Sequence, residues 1–154
     1  MIDPRGSRFA ATLTSVVLAA ALVTGNSWLL GAQAVVFAVG AVFGLSRSPY
    51  GILFARFVRP RLAPPAELEH EAPPRFAQAV GLVFSLVGLA GYLGGLEPLA
   101  YVAVGAALGA AFLNAAFGFC LGCEVYLLLR RLTPTRSARS TPGPVPTSSR
   151  KVTP

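Results

Sequence analysis

Four apolar stretches dominate the chain, and each approaches or exceeds the length that a helix needs to cross a bilayer. They cover residues 9–24, 28–45, 76–95 and 99–129. A membrane-spanning helix contains about 20 predominantly apolar residues, and helices satisfy their own backbone hydrogen bonds in lipid. The pattern therefore predicts an all-α fold, in which residues 1–131 form a membrane-embedded bundle of four transmembrane helices.

The last apolar stretch is longer than a bilayer requires. A single helix over residues 99–129 would reach roughly 46 Å at about 1.5 Å per residue, against a hydrocarbon core of about 30 Å. Such a helix must tilt, bend or protrude. Gly118 and Gly122 are the natural places for a bend.

The long connection between the second and third stretches begins with a helical pattern. Its large apolar residues follow the i, i+3, i+4, i+7 spacing of one helix face; they are Tyr50, Leu53, Phe54 and Phe57. The spacing predicts a short helix over about residues 50–59, lying in the membrane interface with its arginines toward lipid headgroups. An ordinary solvated loop helix is the alternative.

Two polar segments complete the chain. Residues 60–75 form an acidic linker bounded by prolines, and residues 132–154 are a basic tail whose Ser, Thr, Pro and Gly content predicts disorder. Four residues of the linker are candidate metal ligands but lack the spacing of a helix-borne site: Glu67, Glu69, His70 and Glu71. Phosphate loops and nucleotide fingerprints are absent from the sequence, so neither a metal nor a cofactor is predicted.

The placement of charge predicts the orientation in the membrane. The net charge is +7, but every Lys and Arg falls in the amino-terminal leader, the central connection or the tail. The two short turns, at residues 25–27 and 94–97, carry none. Because basic residues mark the cytoplasmic side, both termini are predicted in the cytoplasm, with the lipid bilayer rather than nucleic acid as the partner. The alternative for residues 9–24 is a cleaved signal peptide.

The only two cysteines, Cys120 and Cys123, lie next to Glu124 within the last apolar stretch. On a continuous helix the two thiols would sit about 60° apart on one face, with Glu124 one turn from Cys120. An ionisable residue inside a bilayer is a functional-site hypothesis by default. We therefore predict that Cys120, Cys123 and a buried Glu124 form one catalytic patch in the inner half of the membrane.

Three functions fit this patch. The first is thiol–disulfide or sulfur-transfer chemistry with a cytoplasmic thioredoxin-like or sulfurtransferase partner, although two helical cysteines at this spacing need local distortion to form a disulfide. The second is permeation of a small sulfur-containing solute past Asn114 and Glu124, which calls for a homo-oligomer because four spans are few and no inverted repeat is evident. The third is a scaffold or assembly subunit in which the cysteines only pack and Gly118-x-x-x-Gly122 is a helix contact.

Four segments carry a resemblance to a known family. They are Ile2-Asp-Pro-Arg-Gly-Ser-Arg8-Phe, Arg47-Ser-Pro-Tyr50-Gly, Pro73-Pro-Arg-Phe-Ala-Gln-Ala-Val80-Gly and Asn114-Ala-Ala-Phe-Gly-Phe-Cys-Leu-Gly-Cys-Glu124. The chain resembles a bacterial membrane family, domain of unknown function 4395, particularly its actinobacterial members, over residues 2 to about 131. The resemblance implies an integral membrane protein. A looser likeness is to four-helix membrane thiol oxidoreductases that use a Cys-x-x-Cys pair with a quinone, from which this chain departs by lacking a second cysteine pair.

Overall fold

Helices account for nearly all the regular structure, which confirms the predicted all-α fold. The structure, a computed structural model, describes residues 2–65 and 68–133. Its α-helices are α1 (Pro4–Thr24), α2 (Ser27–Phe43), α3 (Pro49–Leu53), α4 (Ala72–Leu93), α5 (Glu97–Phe117) and α6 (Leu121–Leu132). By length and composition α1, α4 and α5 are able to cross a membrane, and α2 is a shorter apolar helix of 17 residues.

The ends of the first two helices follow from local side-chain chemistry. Asp3 caps α1 by accepting a hydrogen bond from the backbone N–H of Arg5, and Pro4 occupies the first turn, where its missing N–H costs nothing. Gly25 ends α1 in the left-handed conformation, with φ at 62°. Asn26 then caps α2 through Trp28 N–H at 2.9 Å. The two helices therefore form a tight hairpin.

The four apolar helices form a ring. Within it α1 packs along α5, α4 packs along both α2 and α5, and α1 contacts α2. The helix α1 therefore faces α4 across the bundle, and α2 faces α5. Because successive helices are antiparallel, the leader, the central connection and the segment after α5 all meet at one end, which we call the loop end.

The two helical hairpins, α1–α2 and α4–α5, make equivalent contacts at the loop end. Arg8 on α1 donates to two carbonyl oxygens in the last turn of α5, at 3.3 and 3.4 Å. Arg75 on α4 donates to two carbonyl oxygens near the end of α2, at 3.2 and 2.6 Å. Both arginines begin the sequence Arg-Phe-Ala. The bundle therefore contains a parallel internal repeat rather than an inverted one.

The equivalence extends to the segments that follow each hairpin. Phe9 packs on Phe54, which lies after α2, with ring centroids 5.7 Å apart and the planes tilted by 46°. Phe76 packs on Tyr126 in α6 at 5.6 Å with the same tilt. Ser48 caps α3 by accepting from the N–H three residues later. A cysteine holds the same capping position before α6, as described below.

Packing differs between the two ends of the ring. At the turn end, a hydrophobic cluster centres on Leu18, Leu30 and Val104, whose side chains are fully buried. Near the middle of the bundle, a polar chain links the helices to the connection: buried Gln33 donates to Thr14 at 3.3 Å and accepts from Tyr50 Oη at 2.7 Å. Burial raises the pKa of the Tyr50 phenol, so it stays protonated as the donor. A second buried cluster, of Ile2, Ala10 and Leu45, lies at the loop end. The polar chain therefore lies between two apolar clusters.

The connection forms a helical segment with a changed register. A π-helical turn at Phe54–Val58 and a 3₁₀ turn at Arg59–Arg61 follow α3. The four residues predicted to share one face therefore divide: Tyr50 and Phe54 contact the bundle, whereas Leu53 and Phe57 are exposed. The wider π-helical turn begins at Phe54 and shifts the angular spacing of the side chains that follow it. This shift accounts for the exposure of Phe57, but not for that of Leu53, which precedes the turn. Its location in a membrane interface stays a prediction.

The final apolar stretch is two helices rather than a single one over residues 99–129. The 21 residues of α5 already extend about 32 Å, close to the thickness of a hydrocarbon core. Gly118 then ends α5 in the left-handed conformation, with φ at 70°. Glu67 of the linker, and the predicted tail from residue 134 onward, lie outside the described residues.

Candidate thiol site

The helix break at Gly118 places Cys120 at the start of a new helix. Cys120 is extended, with φ −88° and ψ 95°, and it is the N-cap of α6. Its Sγ accepts a hydrogen bond from the backbone N–H of Cys123 at 3.3 Å. A helix N-terminus carries roughly half a positive charge, and it lowers the pKa of a cysteine that occupies it. The Cys120 sulfur therefore occupies the N-terminal end of α6, where the backbone N–H of Cys123 faces it.

Cys120 and Cys123 are joined by a disulfide, with their Cα atoms 5.2 Å apart. That separation lies within the usual range for disulfides. Two cysteines at this spacing inside one helix do not readily reach each other, so local distortion was expected. The extended conformation of Cys120 removes that difficulty, since only Cys123 lies inside the helix. Both residues remain partly accessible at the surface.

Glu124 lies in the first turn of α6, where its side chain is exposed on the surface of the protein rather than enclosed among the helices. The predicted patch assumed one continuous helix, whereas α6 begins after the break at Gly118. Burial of Glu124 in the bilayer stays a prediction. A carboxylate in a first helical turn is also favoured by the helix dipole. Glu124 nevertheless borders the same cavity as both cysteines.

A cavity of about 550 Å³ opens beside the cysteine pair. We call it the vestibule, and its lining includes Arg8 and Thr14 of α1, Phe37 of α2, Gly81 of α4, Asn114 of α5 and the segment 118–124. Small side chains of α5 create much of the space: Ala106, Ala107, Ala110 and Ala111. The distance along α5 from Asn114 to Ala107 is about 10 Å at 1.5 Å per residue. The vestibule is therefore polar and sulfur-lined at its rim and apolar inside.

The vestibule does not continue to the turn end. None of the three fully buried side chains there, Leu18, Leu30 and Val104, contributes to its lining. Asn114 and Glu124 line the vestibule, as the permeation hypothesis requires, but this conformation holds them in a dead-end chamber. A continuous path would require the closed layer to separate.

Arg8 is a site residue that the sequence analysis did not select. Its guanidinium holds the end of α5, and its Cδ and Nε lie 3.8 Å from where a side chain at Gly118 would begin. It also lines the vestibule with Cys120. The repeated Arg-Phe-Ala sequence was the available signal, because it marks equivalent positions in the two hairpins. Arg8 therefore supplies a cation near the thiol segment.

Gly122 fixes α6 against α4. A Cβ atom at this position would lie 2.6 Å from the Cβ and 2.7 Å from the Cα of Ala77, closer than atoms can approach. Glycine is therefore required for this helix contact. Because Cys123 is the next residue, the contact also fixes the position of Cys123. The described part of the chain contains no group of three or more His, Cys, Asp or Glu side chains placed to hold a metal ion.

Comparison with known proteins identifies the family. A family model described as Domain of unknown function (DUF4395) matches residues 2–131. Searches of curated proteins and of solved structures found no significant match. The matched region contains both hairpins, the connection and nearly all of α6, including the cysteine pair. Because it covers most of the chain, the protein belongs to the DUF4395 family.

Proposed function

We propose that this protein is a membrane thiol–disulfide exchange protein that acts through Cys120 and Cys123. The observation that supports the proposal is the position of Cys120 as N-cap of α6, with its sulfur facing the Cys123 N–H and within bonding distance of the Cys123 sulfur. A scaffold does not need this arrangement, because packing alone places no demand on sulfur-to-sulfur geometry.

The reaction is a symmetrical exchange of two electrons and two protons. In the reduced protein, the Cys120 thiolate attacks a disulfide of a soluble thioredoxin-like partner and releases one partner thiolate. Cys123 then loses its proton and attacks Cys120 Sγ, which breaks the mixed disulfide and releases the second partner thiolate. The protein is left with a disulfide and the partner with a dithiol. The reverse sequence reduces the protein.

Each residue has a distinct role in this proposal. Cys120 is the attacking thiol, because the N-terminus of α6 favours its thiolate. Cys123 is the resolving thiol, because it lies inside the first turn of α6 and does not hold the N-cap position. Glu124, adjacent to Cys123 and bordering the same cavity, accepts the proton that Cys123 loses during resolution. The basic residues gathered at the loop end support a cytoplasmic location for this chemistry.

Capture of a thiol partner tests the proposal. The probe is a thioredoxin-like protein that keeps one cysteine, activated as its thionitrobenzoate adduct. Reduced Cys123→Ser should form a lasting mixed disulfide through Cys120. Cys120→Ser should react at about one tenth of that rate or below it, because its remaining thiol lacks the N-cap position. Release of thionitrobenzoate gives the rate, and non-reducing electrophoresis shows the adduct.

Two further variants complete that measurement. Glu124→Gln, with both cysteines present, should form the adduct normally but resolve it more slowly, while Glu97→Gln at the opposite end should behave like the wild type. Equal reaction of the two single-cysteine variants would refute the assignment of the attacking thiol. Failure of Cys123→Ser to form any adduct would refute exchange with a soluble thioredoxin-like partner.

The proposed orientation places the loop end in the cytoplasm, and two exposed positions flanking α2 test it. In a background with Cys120→Ser and Cys123→Ser, we make Asn26→Cys at the turn end and Ser46→Cys at the loop end. A membrane-impermeant maleimide applied to intact cells should label Asn26→Cys and spare Ser46→Cys. The opposite labelling pattern would place the cysteine pair outside the cell and reverse the proposed topology.

A further inference from the structure

The vestibule brings the cysteine pair into contact with an apolar space that is too small for a polypeptide. Its volume of about 550 Å³ lies in the range of cavities that hold small organic molecules, about 300–1,000 Å³. A folded thiol protein is excluded from this volume and must reach the sulfurs from outside. Cys120 and Cys123 therefore adjoin two environments, the outer surface and the vestibule.

Much of the inner wall of the vestibule is apolar, although Gln78 of α4 also lines it. Phe37, which is 6% exposed, and Phe84 contribute aromatic surface, and the alanines of α5 form a wall of methyl groups. Thr14 belongs to the Gln33 hydrogen-bond chain, so its hydroxyl is already engaged. Transfer of a small apolar group from water to such surroundings is favourable by about 0.8 kcal/mol per methylene.

The repeat shows how the two hairpins differ beside the capping residue. In the first hairpin, Tyr50 lies two residues after the capping Ser48 and reaches inward to Gln33. In the second, the residue two after the capping Cys120 is Gly122, which packs directly on Ala77 of α4. No aromatic side chain therefore projects inward from this position of α6, and both cysteines and Gly122 line the vestibule.

From these contacts we infer that the vestibule binds a small lipophilic disulfide, which the cysteine pair reduces. The inference rests on the proposed thiol exchange and names its second substrate. The Cys120 thiolate attacks one sulfur of the bound disulfide and releases the first small thiolate. Cys123 loses a proton and attacks Cys120 Sγ, which releases the second. One disulfide and one dithiol become two small thiols and the Cys120–Cys123 disulfide, and a soluble thiol partner then restores the dithiol.

Two small disulfides of opposite polarity test the inference. Reduced protein in lipid nanodiscs is mixed with dibutyl disulfide or bis(2-hydroxyethyl) disulfide, which share a dialkyl disulfide bond. The reference protein carries Ser46→Cys together with Cys120→Ser and Cys123→Ser. Its single exposed thiol meets dibutyl disulfide in the same nanodiscs, so it corrects for partition of that disulfide into lipid. We define the rate ratio as the oxidation rate with dibutyl disulfide divided by the rate with bis(2-hydroxyethyl) disulfide. This ratio should be about tenfold higher at the cysteine pair than at the reference, because the vestibule buries both butyl chains.

Filling the vestibule should remove this preference. Ala110→Phe and Ala106→Phe each add an aromatic ring to its wall, whereas Val102→Phe adds one to an exposed position of α5. Both filling variants should bring the rate ratio down to that of the reference, and Val102→Phe should keep the wild-type ratio. The thermal transition of each variant shows whether it folds. Two filling positions are used so that the test remains possible if one variant does not fold.

The outcomes separate this inference from the proposed function. A wild-type ratio equal to the reference, or a ratio that survives in a folded filling variant, overturns the vestibule as a substrate site even if the thioredoxin-like probe is captured. A raised ratio that both filling variants remove supports the site even if that probe is not captured. Failure of the probe alone bears only on the soluble partner.

Discussion

Replacing Gly122 with leucine should force α6 away from α4 and disable the cysteine pair. The new Cβ would meet Ala77 at 2.6 and 2.7 Å, and one of these contacts is with a backbone carbon that cannot rotate away. Overpacking of this kind costs about 1–3 kcal/mol, and more where the backbone must shift. The thermal transition in detergent should fall, and Cys123 should move relative to Cys120.

The same substitution should reduce thiol exchange more than it reduces stability. A displacement of about 1 Å is able to lower the rate of a positioned reaction roughly a hundredfold. We therefore expect the resolving step of Gly122→Leu to slow by about tenfold to a hundredfold, measured as the lifetime of the mixed disulfide with the thioredoxin-like probe.

Gly109 on α5 provides the matched control for this substitution. A Cβ atom at Gly109 would meet nothing within 4 Å. Gly109→Leu should therefore keep both the thermal transition and the exchange rate of the wild type. If Gly122→Leu resolves the mixed disulfide as fast as Gly109→Leu, the contact between α6 and α4 does not set the geometry of the pair.

Replacing Arg8 with glutamine should lower the reactivity of the reduced pair, and the internal repeat supplies the control. Arg8 and Arg75 make equivalent hydrogen bonds to the ends of α5 and α2, but only Arg8 lines the vestibule beside Cys120. Each variant loses a similar set of charged hydrogen bonds to helix carbonyls. Both should therefore lower the thermal transition by similar amounts.

Thiol reactivity should separate the two arginine variants. Arg8 lines the same cavity as Cys120, and a nearby cation makes a thiol more reactive, so alkylation of reduced Arg8→Gln by iodoacetamide should slow by about threefold to tenfold. The pH midpoint of alkylation should rise accordingly. Arg75→Gln should keep the wild-type rate and midpoint, and Arg8→Lys should restore most of both. Equal slowing in Arg8→Gln and Arg75→Gln would show that Arg8 acts only through stability.

The helices were largely predictable because apolar length and turn residues are local signals. Gly25 and Asn26 mark the first hairpin turn, and Pro98 in the first turn of α5 marks the second. The start of α1 at Pro4, rather than at residue 9, escaped prediction because the polar residues of its first turn do not contribute to an apolar pattern. Asp3 followed by Pro4 was the signal for it.

The candidate site was predictable in membership but not in geometry. Both cysteines and Glu124 do meet at one cavity, because they are neighbours in the chain. The helix break was flagged at Gly118 and Gly122, but glycine alone does not indicate which position adopts the left-handed conformation. Cysteine is an uncommon N-cap, so the role of Cys120 had no sequence signature. The predicted geometry of Glu124 differed for the same reason, since it assumed an unbroken helix.

The vestibule depended on contacts that no local pattern reveals. Arg8 is more than 100 residues from the cysteines along the chain, and the hydrogen bonds that connect it to α5 are set by how the hairpins assemble. The Arg-Phe-Ala repeat was visible in the sequence, but its meaning depends on which helices pair. Only the ring, with α1 along α5 and α4 along α2, shows why each arginine meets the end of the other hairpin.

The fully buried layer of Leu18, Leu30 and Val104 separates the cysteine pair from the far side of the bundle. In the proposed function, a dithiol that opens toward one face equilibrates with the reductants and oxidants of that face alone. Small thiols and disulfides that crossed this layer would couple the pair to the opposite compartment. If the bundle spans a membrane as proposed, the leucine and valine packing near the turn end therefore keeps the redox state of the pair tied to one side.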